Sequence, residues 1–207
     1  MIKYRLVYFN SRGHAELIRF IFAYIGQEYE DFRIQESEWP SFKHRTVFGK
    51  LPVLEISDDV QSIQLSQSLS IARYLSSLFG IAGTTDLDKA RADMIAEQLN
   101  DILEIFYGIK SEQNLEIRAE KENFFYKETL PFYSSMFERL FEIQKTRYVA
   151  ANTLTYADLA FVVFWDTFGE KKKHLFEVCV ICKAFYDHIN NLPEITEWKK
   201  ERPISNY

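Results

Sequence analysis

A proline inside an apolar run constrains the fold of this chain more than any other single feature. Pro52 interrupts the run Leu51–Leu54, and because proline lacks a backbone N–H it belongs at the start or edge of a strand, sometimes after a cis bond. The backbone groups of Leu51 are then left for a ligand. Gln67 and Ser68 follow at the head of a helix whose apolar residues recur at three- and four-residue steps. The unpaired amides and positive dipole of such a helix start suit a carboxylate, although a serine there is by itself usually an N-cap.

Strand and helix signals alternate through the first third of the chain. A period-two strand pattern over Tyr4–Tyr8, a helical stripe over Leu17–Ile25 and an extended stretch over Tyr29–Ile34 follow one another. This order predicts a βαβ unit. A hairpin over residues 52–65 then leads into the helix that begins near Ser68 and closes the domain.

Strand signals largely disappear beyond a linker that contains Gly80 and Gly83. Apolar residues with helical spacing over Ala90–Phe106 predict one long helix. Thr155 and Asp158 have the spacing of a capping box ahead of a nearly all-apolar helix. We therefore expect a buried central helix in a second, all-helical domain, with Asp158 as a structural carboxylate.

Composition excludes two classes of partner. The chain has 207 residues, 47% of them hydrophobic, and a net charge of −5 without a basic block. It is long enough for a packed core and lacks the clustered Lys and Arg that nucleic-acid recognition requires. No stretch approaches the ~18 apolar residues of a membrane span, and no apolar run follows a basic start. We expect a cytoplasmic protein without nucleic-acid or membrane partners.

Two features that invite a redox, metal or binding role have a simpler structural interpretation. Cys179 and Cys182 lie three apart in an apolar segment, and without a second cysteine pair for zinc they are expected to be buried thiols. The run Lys171–Lys173 is expected to be a solvated helix end or loop without function. No metal site is predicted.

Several segments, in order, resemble the glutathione transferases, and in detail the sigma class. The matching segments are Tyr4–Glu16, Trp39–Pro40, Phe48–Pro52, Gln67–Leu75, Thr155–Asp158 and Trp198–Pro203. The resemblance covers essentially the whole chain. It implies an α/β thioredoxin-like N-terminal domain at 1–80 that binds glutathione, a linker at 81–87, and an all-α C-terminal domain at 88–207 that forms the electrophile pocket.

Tyr8 is the candidate catalytic residue. A glutathione transferase must convert a thiol with a pKa near ~8.5 into a thiolate at neutral pH, since the thiolate is the nucleophile. Lowering that pKa by about two units requires about 2.7 kcal/mol, within reach of a charge-assisted hydrogen bond in a dry site. The motif match implies that the Tyr8 hydroxyl donates this bond. The alternative for Tyr8, one of 12 tyrosines, is an ordinary core aromatic.

The resemblance also implies the glutathione-binding residues. Trp39, Lys43 and Lys50 would bind the glycine end of the peptide, and the backbone of Leu51, held by Pro52, would bind its middle. Gln67 and Ser68 would receive the γ-glutamyl carboxylate. Asp101 would reach the γ-glutamyl amine across a two-fold homodimer, although it could equally be an exposed helix residue. The implied electrophile pocket is lined by Phe9, Arg12, His14, Phe106, Tyr107 and Tyr207, each of which could instead be plain packing.

The chain departs from the family pattern at three places. His14 stands where the family usually has arginine, which predicts weaker tuning of Tyr8 and the thiolate. The class includes a glutathione-dependent prostaglandin D synthase, and the tryptophan on that enzyme's long helix falls at Gly108. The positions of that enzyme's acidic, magnesium-binding cluster hold Glu97, Asn100 and Asp101 in this chain, so a divalent metal is not expected.

The sequence thus predicts a transferase that adds glutathione to small hydrophobic electrophiles, with peroxide reduction as a side activity. Prostaglandin D isomerisation, with glutathione as a regenerated cofactor, is a second hypothesis. A third is a non-catalytic ligand carrier of crystallin type. A protein relieved of catalysis could lose its glutathione-binding residues, so their presence weighs against the carrier. They are Tyr8, Trp39, Lys43, Lys50, Gln67 and Ser68.

Overall fold

A computed structural model describes residues 2–205 of the chain. Two compact units form, one running up to Ala82 and continuing from Asn191 onward, the other comprising Gly83–Asn190. The first unit contains the strands β1 (Lys3–Phe9), β2 (Glu30–Ile34), β3 (Val53–Ser57) and β4 (Ser62–Ser66) in the sheet order β2-β1-β3-β4. β1 and β2 are parallel, as a βαβ unit requires, and the other pairs are antiparallel.

The helices follow one another along both units. In chain order they are α1 (Glu16–Ile25), α2 (Trp39–Phe42), α3 (Ser68–Leu78), α4 (Asp86–Lys110), α5 (Leu115–Phe124), α6 (Leu130–Gln144), α7 (Tyr156–Thr167), α8 (Lys172–Phe176), α9 (Val180–Asn190) and α10 (Pro193–Glu201). Short 3-10 turns precede α1, α2 and α8, and a fourth, Lys43–Arg45, follows α2. Within residues 2–205, no helix is long and apolar enough to cross a bilayer.

The βαβ prediction and the hairpin prediction are both confirmed. The helix between the parallel strands, α1, is buried along most of its length and ends at Gly26, whose φ of 66° is the left-handed conformation that favours glycine. In the hairpin, Val53 pairs with Ser66 and Ser57 with Ser62. The Asp58 carboxylate closes the turn by accepting two backbone N–H groups, each at 2.8 Å.

The second unit is helical, and its predicted long helix and buried central helix are confirmed. α4 runs for 25 residues from a capping box formed by Thr85 and Asp88. α7 is buried from Tyr156 to Trp165 and begins at the capping box predicted from Thr155 and Asp158. The predicted burial of both cysteine thiols is also confirmed.

One prediction for the second unit is wrong at a single lysine. Lys172 is not solvated: its side chain is 17% exposed, and its Nζ lies 3.1 Å from an Asp166 carboxylate oxygen. The Nζ also donates to the Tyr186 hydroxyl at 2.8 Å. Lys172 begins α8, and the helical turn directs its side chain inward while Lys171 and Lys173 remain exposed.

The division into compact units places the C-terminal helix with the N-terminal sheet. α10 packs on α1 within the first unit. The domain bounds 1–80 and 88–207 are divisions of the sequence and stay a prediction.

Candidate active site

One end of the sheet gathers three segments of the chain. Val7 of β1 pairs with Val53 of β3, and Val53 in turn pairs with Ser66 of β4. The next residues outward on β3 and β4 are Pro52 and Gln67, so both leave the sheet at the end where β1 finishes. Loops at the carboxyl ends of strands are common places for ligand sites in α/β folds.

Tyr8 and Trp39 belong to the same end of the sheet. Tyr8 follows Val7, next to the end of β1, and the parallel strand β2 ends beside it because Phe9 pairs with Ile34. The chain then leads from β2 into α2, which begins at Trp39. The sheet topology therefore brings Tyr8, Trp39, Pro52 and Gln67 to one edge, although they are far apart in sequence.

Tyr8 is held against the loop that follows its strand. Its residue is 7% exposed, and the His14 backbone N–H donates to its hydroxyl oxygen at 3.2 Å. Gly13 has a φ of +40°, and a Cβ added there would lie 2.5 Å from the same oxygen. Glycine is thus required at position 13 for two reasons: its positive φ and its close approach to the Tyr8 hydroxyl.

A chain of aromatic rings joins Tyr8 to Trp39. The ring centroids of Tyr8 and Phe9 are 5.7 Å apart, and those of Phe9 and Trp39 are 5.6 Å apart, both in edge-to-face arrangements. Trp39 and Leu51 pack against a buried cluster of Val7, Ile34 and Val53. The indole is therefore fixed by packing at the sheet edge, beside the residues predicted to bind glutathione.

Lys43 and Lys50 are brought close by one loop. Lys43 directly follows α2 as its C-cap, and its backbone N–H donates to the Trp39 carbonyl, which places Trp39 and Lys43 one helical turn apart. Its stem lies along Gly49: a Cβ added to that glycine would be 3.1 Å from Lys43 Cε. Both lysines are exposed. Their aliphatic stems can rest on the loop while the ammonium groups meet an anion.

The peptide bond between Leu51 and Pro52 is cis, as the position of proline at a strand start had suggested. Pro52 is buried and Leu51 is partly exposed at the edge of the sheet.

The start of α3 lacks the usual side-chain cap. Gln67 occupies the N-cap position with φ 75° and ψ 116°, and no side chain there accepts from the first turn. A positive φ is uncommon for a residue with a side chain and is strained, which often marks a functional position. Ser68, partly exposed, is the first residue of the helix. The N-cap side chain therefore leaves the first-turn amides of α3 without a cap, as a helix start that binds a carboxylate requires. A binding role for Gln67 and Ser68 stays a prediction.

The predicted residues of the second unit lie on α4. Asp101 is exposed and Tyr107 is half-buried. Phe106 is buried in an aromatic cluster, with ring centroids 5.5 Å from Phe125 and 5.3 Å from Phe168. A pocket-lining role for Phe106 and Tyr107 stays a prediction, and Tyr207 lies outside the described residues.

The positions of the predicted acidic cluster and of Gly108 both lie on α4. Among the residues that the structure describes, no group of three or more His, Cys, Asp and Glu side chains is placed to hold a metal ion. A Cβ added to Gly108 would meet no atom within 4 Å, so the position of the isomerase tryptophan is open space here. The expectation of no metal stays a prediction.

Sequence reasoning missed a buried ion pair next to the loop between β1 and α1, residues 10–14, which is called the Tyr8 loop below. Glu16 and Arg19 are 2% and 0% exposed, and the Arg19 Nη1 lies 3.2 Å from a Glu16 carboxylate oxygen. The Arg19 guanidinium carbon also lies 5.9 Å from the centroid of the Tyr8 ring. The available signal was the occurrence of two opposite charges at i and i+3 within the otherwise apolar start of α1.

Known proteins that match this chain span its full length. The family model for the glutathione S-transferase N-terminal domain matches residues 5–77, and the model for the C-terminal domain matches residues 88–202. The hematopoietic prostaglandin D synthase of Mus musculus is 33% identical over 208 residues, covering 98% of each chain. A glutathione S-transferase of Plasmodium falciparum is 36% identical over 215 residues, covering 98% of this chain and 97% of its own. The solved structure of rat hPGDS complexed with a quinoline matches with a TM-score of 0.89 at 31% identity, covering 99% of this chain and 100% of that one.

These matches agree with the architecture described above. The four-stranded mixed sheet of the first unit and the helices of the second correspond to the two matched domains, which confirms the predicted fold class. Relatives named as transferases occur among the matches. The chain belongs to the glutathione S-transferase family and is a transferase that uses glutathione as its co-substrate.

Proposed function

We propose that Tyr8 stabilises the glutathione thiolate and that this sulfur attacks small hydrophobic electrophiles. The observation that carries the proposal is the position of the Tyr8 hydroxyl at the end of the sheet, where it accepts the His14 backbone N–H at 3.2 Å. The thiolate forms a carbon–sulfur bond, and the electrophile either releases a leaving group with the bonding electrons or takes up a proton after addition.

The contact with His14 assists the chemistry of Tyr8. A hydroxyl whose oxygen accepts a hydrogen bond becomes a better donor through its own proton, because hydrogen bonds in a chain polarise one another. A thiolate sulfur is an anionic acceptor, which makes the resulting bond charge-assisted. Lowering the pKa of the glutathione thiol by about two units requires this bond to supply about 2.7 kcal/mol.

The substitution of the family arginine by His14 leaves this contact in place. The donor to Tyr8 is the backbone N–H of residue 14, so it does not depend on the side chain. We propose that the backbone contact preserves catalysis, and that the His14 side chain tunes Tyr8 and the thiolate more weakly than arginine would, as predicted from the sequence.

We propose that glutathione binds at the end of the sheet to which the topology brings Tyr8, Trp39, Pro52 and Gln67. Trp39, Lys43 and Lys50 take the glycine carboxylate, and the backbone of Leu51 beside Pro52 pairs with the cysteinyl part. The uncapped start of α3, with Gln67 and Ser68, takes the γ-glutamyl carboxylate. Phe9, Arg12 and His14 lie on or next to the loop that holds Tyr8, which supports their assignment to the electrophile side.

We propose a homodimer in which the second copy supplies Asp101. Asp101 is exposed on α4. On the same unit, a groove of about 250 Å³ lies between α4 and α6, lined mainly by apolar side chains that include Met94 and Met136, 49% and 43% exposed. Exposed apolar surface of this kind is typical of interaction sites, and an isologous contact would use it twice. Sedimentation should give a dimer, and Met136→Glu should shift it to monomers; a monomeric parent protein would contradict this part.

We also propose that the protein is cytoplasmic. Cys179 and Cys182 are free thiols, as is usual in a reducing compartment.

The experiment compares Tyr8→Phe with Tyr4→Phe. Both residues are buried tyrosines on one face of β1, so Tyr4→Phe controls for loss of a hydroxyl in the same strand. With glutathione and chlorodinitrobenzene, kcat/KM should fall at least about tenfold in Tyr8→Phe, because the thiolate loses a charge-assisted bond, while glutathione binding persists. Equal activity of parent and Tyr8→Phe would remove Tyr8 from the mechanism.

Prostaglandin D isomerisation is the second candidate, because the Mus musculus relative is a hematopoietic prostaglandin D synthase with 98% coverage of each chain. Gly108, where the resemblance to that type of isomerase implies a tryptophan, weighs against it, since a Cβ there would meet no atom within 4 Å. Conversion of the endoperoxide without glutathione consumption would support the isomerase. Tight binding of hydrophobic ligands without any turnover would instead indicate a carrier.

A further inference from the structure

The loop that contacts Tyr8 is held in place by a buried arginine. Arg19 Nη1 donates to the carbonyl oxygens of Ser11 at 2.8 Å and Arg12 at 3.3 Å. These two residues immediately precede Gly13 and His14, which contact the Tyr8 hydroxyl. Arg19 therefore fixes the loop directly before the two residues that contact the catalytic oxygen.

Arg19 is itself held by two carboxylates. Its Nη1 lies 3.2 Å from Glu16, and its Nε donates to Asp31 at 3.1 Å. The other Asp31 oxygen accepts from Arg33 Nε at 2.8 Å, and Arg33 reaches the side-chain oxygen of Asn10 at 3.1 Å. The loop is thus tied at three consecutive residues, 10, 11 and 12, through one connected network.

The C-terminal helix completes this network from the opposite side. Trp198 Nε1 donates to Glu16 Oε1 at 3.1 Å, and Arg202 Nη1 donates to the same oxygen at 2.8 Å. These contacts lie within the first unit, since α10 packs on α1. A path of hydrogen bonds therefore connects Trp198 and Arg202 to the Tyr8 loop through Glu16 and Arg19.

Stability alone does not explain a buried pair of this kind. Removing two charges from water is costly, and replacing such a pair by apolar residues is often neutral or stabilising. The Arg19 Nη2 atom is buried without a hydrogen-bond partner, which adds to the cost. The arrangement gives instead a rigid, planar guanidinium whose Nη1 donates to two loop carbonyls while its Nε is anchored on Asp31, and arginine is suited to that geometry.

We propose that Glu16 and Arg19, with Trp198 and Arg202 behind them, are positioning residues that set the distance between the His14 amide and the Tyr8 hydroxyl. They touch neither glutathione nor the electrophile; they act through the loop. This inference rests on the proposed function of Tyr8 and extends the site to the C-terminal helix.

The test uses Arg202→Gln and Trp198→Phe, with Lys200→Gln as the control. Lys200 is exposed on the same helix, so its variant makes the same charge change without touching Glu16. Three quantities are measured: the pH midpoint of ionisation of bound glutathione by thiolate absorbance, the hydrogen exchange of residues 10–14 without glutathione, and the melting temperature.

We expect the effect on catalysis to be larger in Arg202→Gln than in Trp198→Phe, and absent in Lys200→Gln. Arg202→Gln should lower kcat/KM about fivefold, raise the ionisation midpoint of bound glutathione by about half a pH unit and speed exchange of the loop, because small misplacements are costly in catalysis. Trp198→Phe, which keeps the ring, should show a smaller change, and Lys200→Gln none. Arg19→Lys keeps the charge but loses the planar guanidinium. If this variant folds, its kcat/KM should fall further, and its ionisation midpoint rise further, than in the other three variants.

Two results separate the inference from the function on which it rests. If Arg202→Gln and Trp198→Phe lower only the melting temperature, with loop exchange and ionisation midpoint equal to those of Lys200→Gln, the network is structural and the proposal is overturned. If the parent protein leaves the glutathione thiol at its solution midpoint, the proposed role of Tyr8 fails, and the loop exchange still decides whether the network positions the loop.

Discussion

The starts of α3 and α7 satisfy the same physical requirement in opposite ways. Every helix begins with four amides that lack intrahelical partners. At α7, Asp158 turns back to accept from the Thr155 backbone N–H at 2.8 Å and the Thr155 hydroxyl at 3.0 Å, and its other oxygen accepts from Val149 N–H at 2.9 Å. At α3, Gln67 has a strained backbone and provides no side-chain cap.

Under the proposed function, this difference separates a structural helix start from one that binds a ligand. At α7 the chain supplies its own carboxylate, fully buried, and the amides near it are satisfied in the absence of any ligand. At α3 the N-cap residue Gln67 makes no side-chain cap and the first turn carries no acidic residue, and in the proposed function the γ-glutamyl group of glutathione takes that place. Loss of the Asp158 carboxylate should therefore damage folding, and changes at Ser68 should damage binding.

The largest effect is expected from Asp158→Ala. Three donors, two of them backbone amides, would be left buried without a partner, so the free energy of unfolding should fall by roughly 3–5 kcal/mol. Urea unfolding measures this, with Glu120→Ala on exposed α5 as a control that should change little. Well below its melting temperature the variant should bind glutathione like the parent; weaker binding would mean that the two helix starts are coupled.

The pH dependence of stability should also distinguish the α7 start. Burial raises the pKa of the Asp158 carboxyl from its ordinary 3.8 to about 6, although donation from Thr155 and Val149 acts in the opposite direction. Between these values the folded protein holds a proton that the unfolded chain has released, so this group's contribution to the free energy of unfolding falls as pH rises. The fall should total up to about 3 kcal/mol between about pH 4 and pH 7.

The measurement compares urea unfolding of the parent and Asp158→Asn across that pH range. The amide cannot titrate, so the stability difference between the two proteins should change with pH, and the parent's advantage should be larger at the acid end. A pH-independent difference would show that the carboxyl stays ionised in the folded protein.

The two helix starts also show what a sequence can reveal. The Thr155 and Asp158 pattern is local, three residues apart, and it predicted the capping box correctly. The helix start at Ser68 was likewise predicted from local spacing, and the βαβ unit and hairpin from periodicity. Local patterns succeed because the interactions that fix them lie within one turn of a helix or one hairpin.

Features that depend on distant residues were not accessible in the same way. Trp198 and Arg202 meet Glu16 across more than 180 positions, and no local pattern predicts such a contact. Lys172 was expected in solvent because its run is charged, but Asp166 and Tyr186 lie inward of it. The sequence also did not predict the positive φ of Gln67, since that conformation is uncommon for a residue with a side chain.

A smaller effect, confined to binding, is expected from Ser68→Ala. Its hydroxyl is the proposed donor to the γ-glutamyl carboxylate, and loss of a hydrogen bond to a charged group weakens binding by about 1.5–3 kcal/mol, or roughly tenfold or more in Kd. Stability should change by less than about 0.5 kcal/mol because Ser68 is partly exposed and lies after the N-cap position. Calorimetric titration with glutathione measures the change, and Ser70→Ala, exposed on the same helix, is the control. Equal affinity in both variants would exclude Ser68 as a carboxylate donor.

The smallest effect is expected from Gln67→Gly, and it should have opposite signs for folding and binding. Glycine adopts a positive φ without strain, which should offset its greater freedom in the unfolded chain and stabilise the protein by up to about 1 kcal/mol. Glutathione should bind more weakly because a side-chain donor is lost. Lys145→Gly is the matched control, since Lys145 also has a positive φ, 52°, at the end of α6; it should gain stability and leave affinity unchanged. If Gln67→Gly loses stability instead, its backbone conformation is supported by side-chain contacts, and the α3 start is not held strained for a ligand.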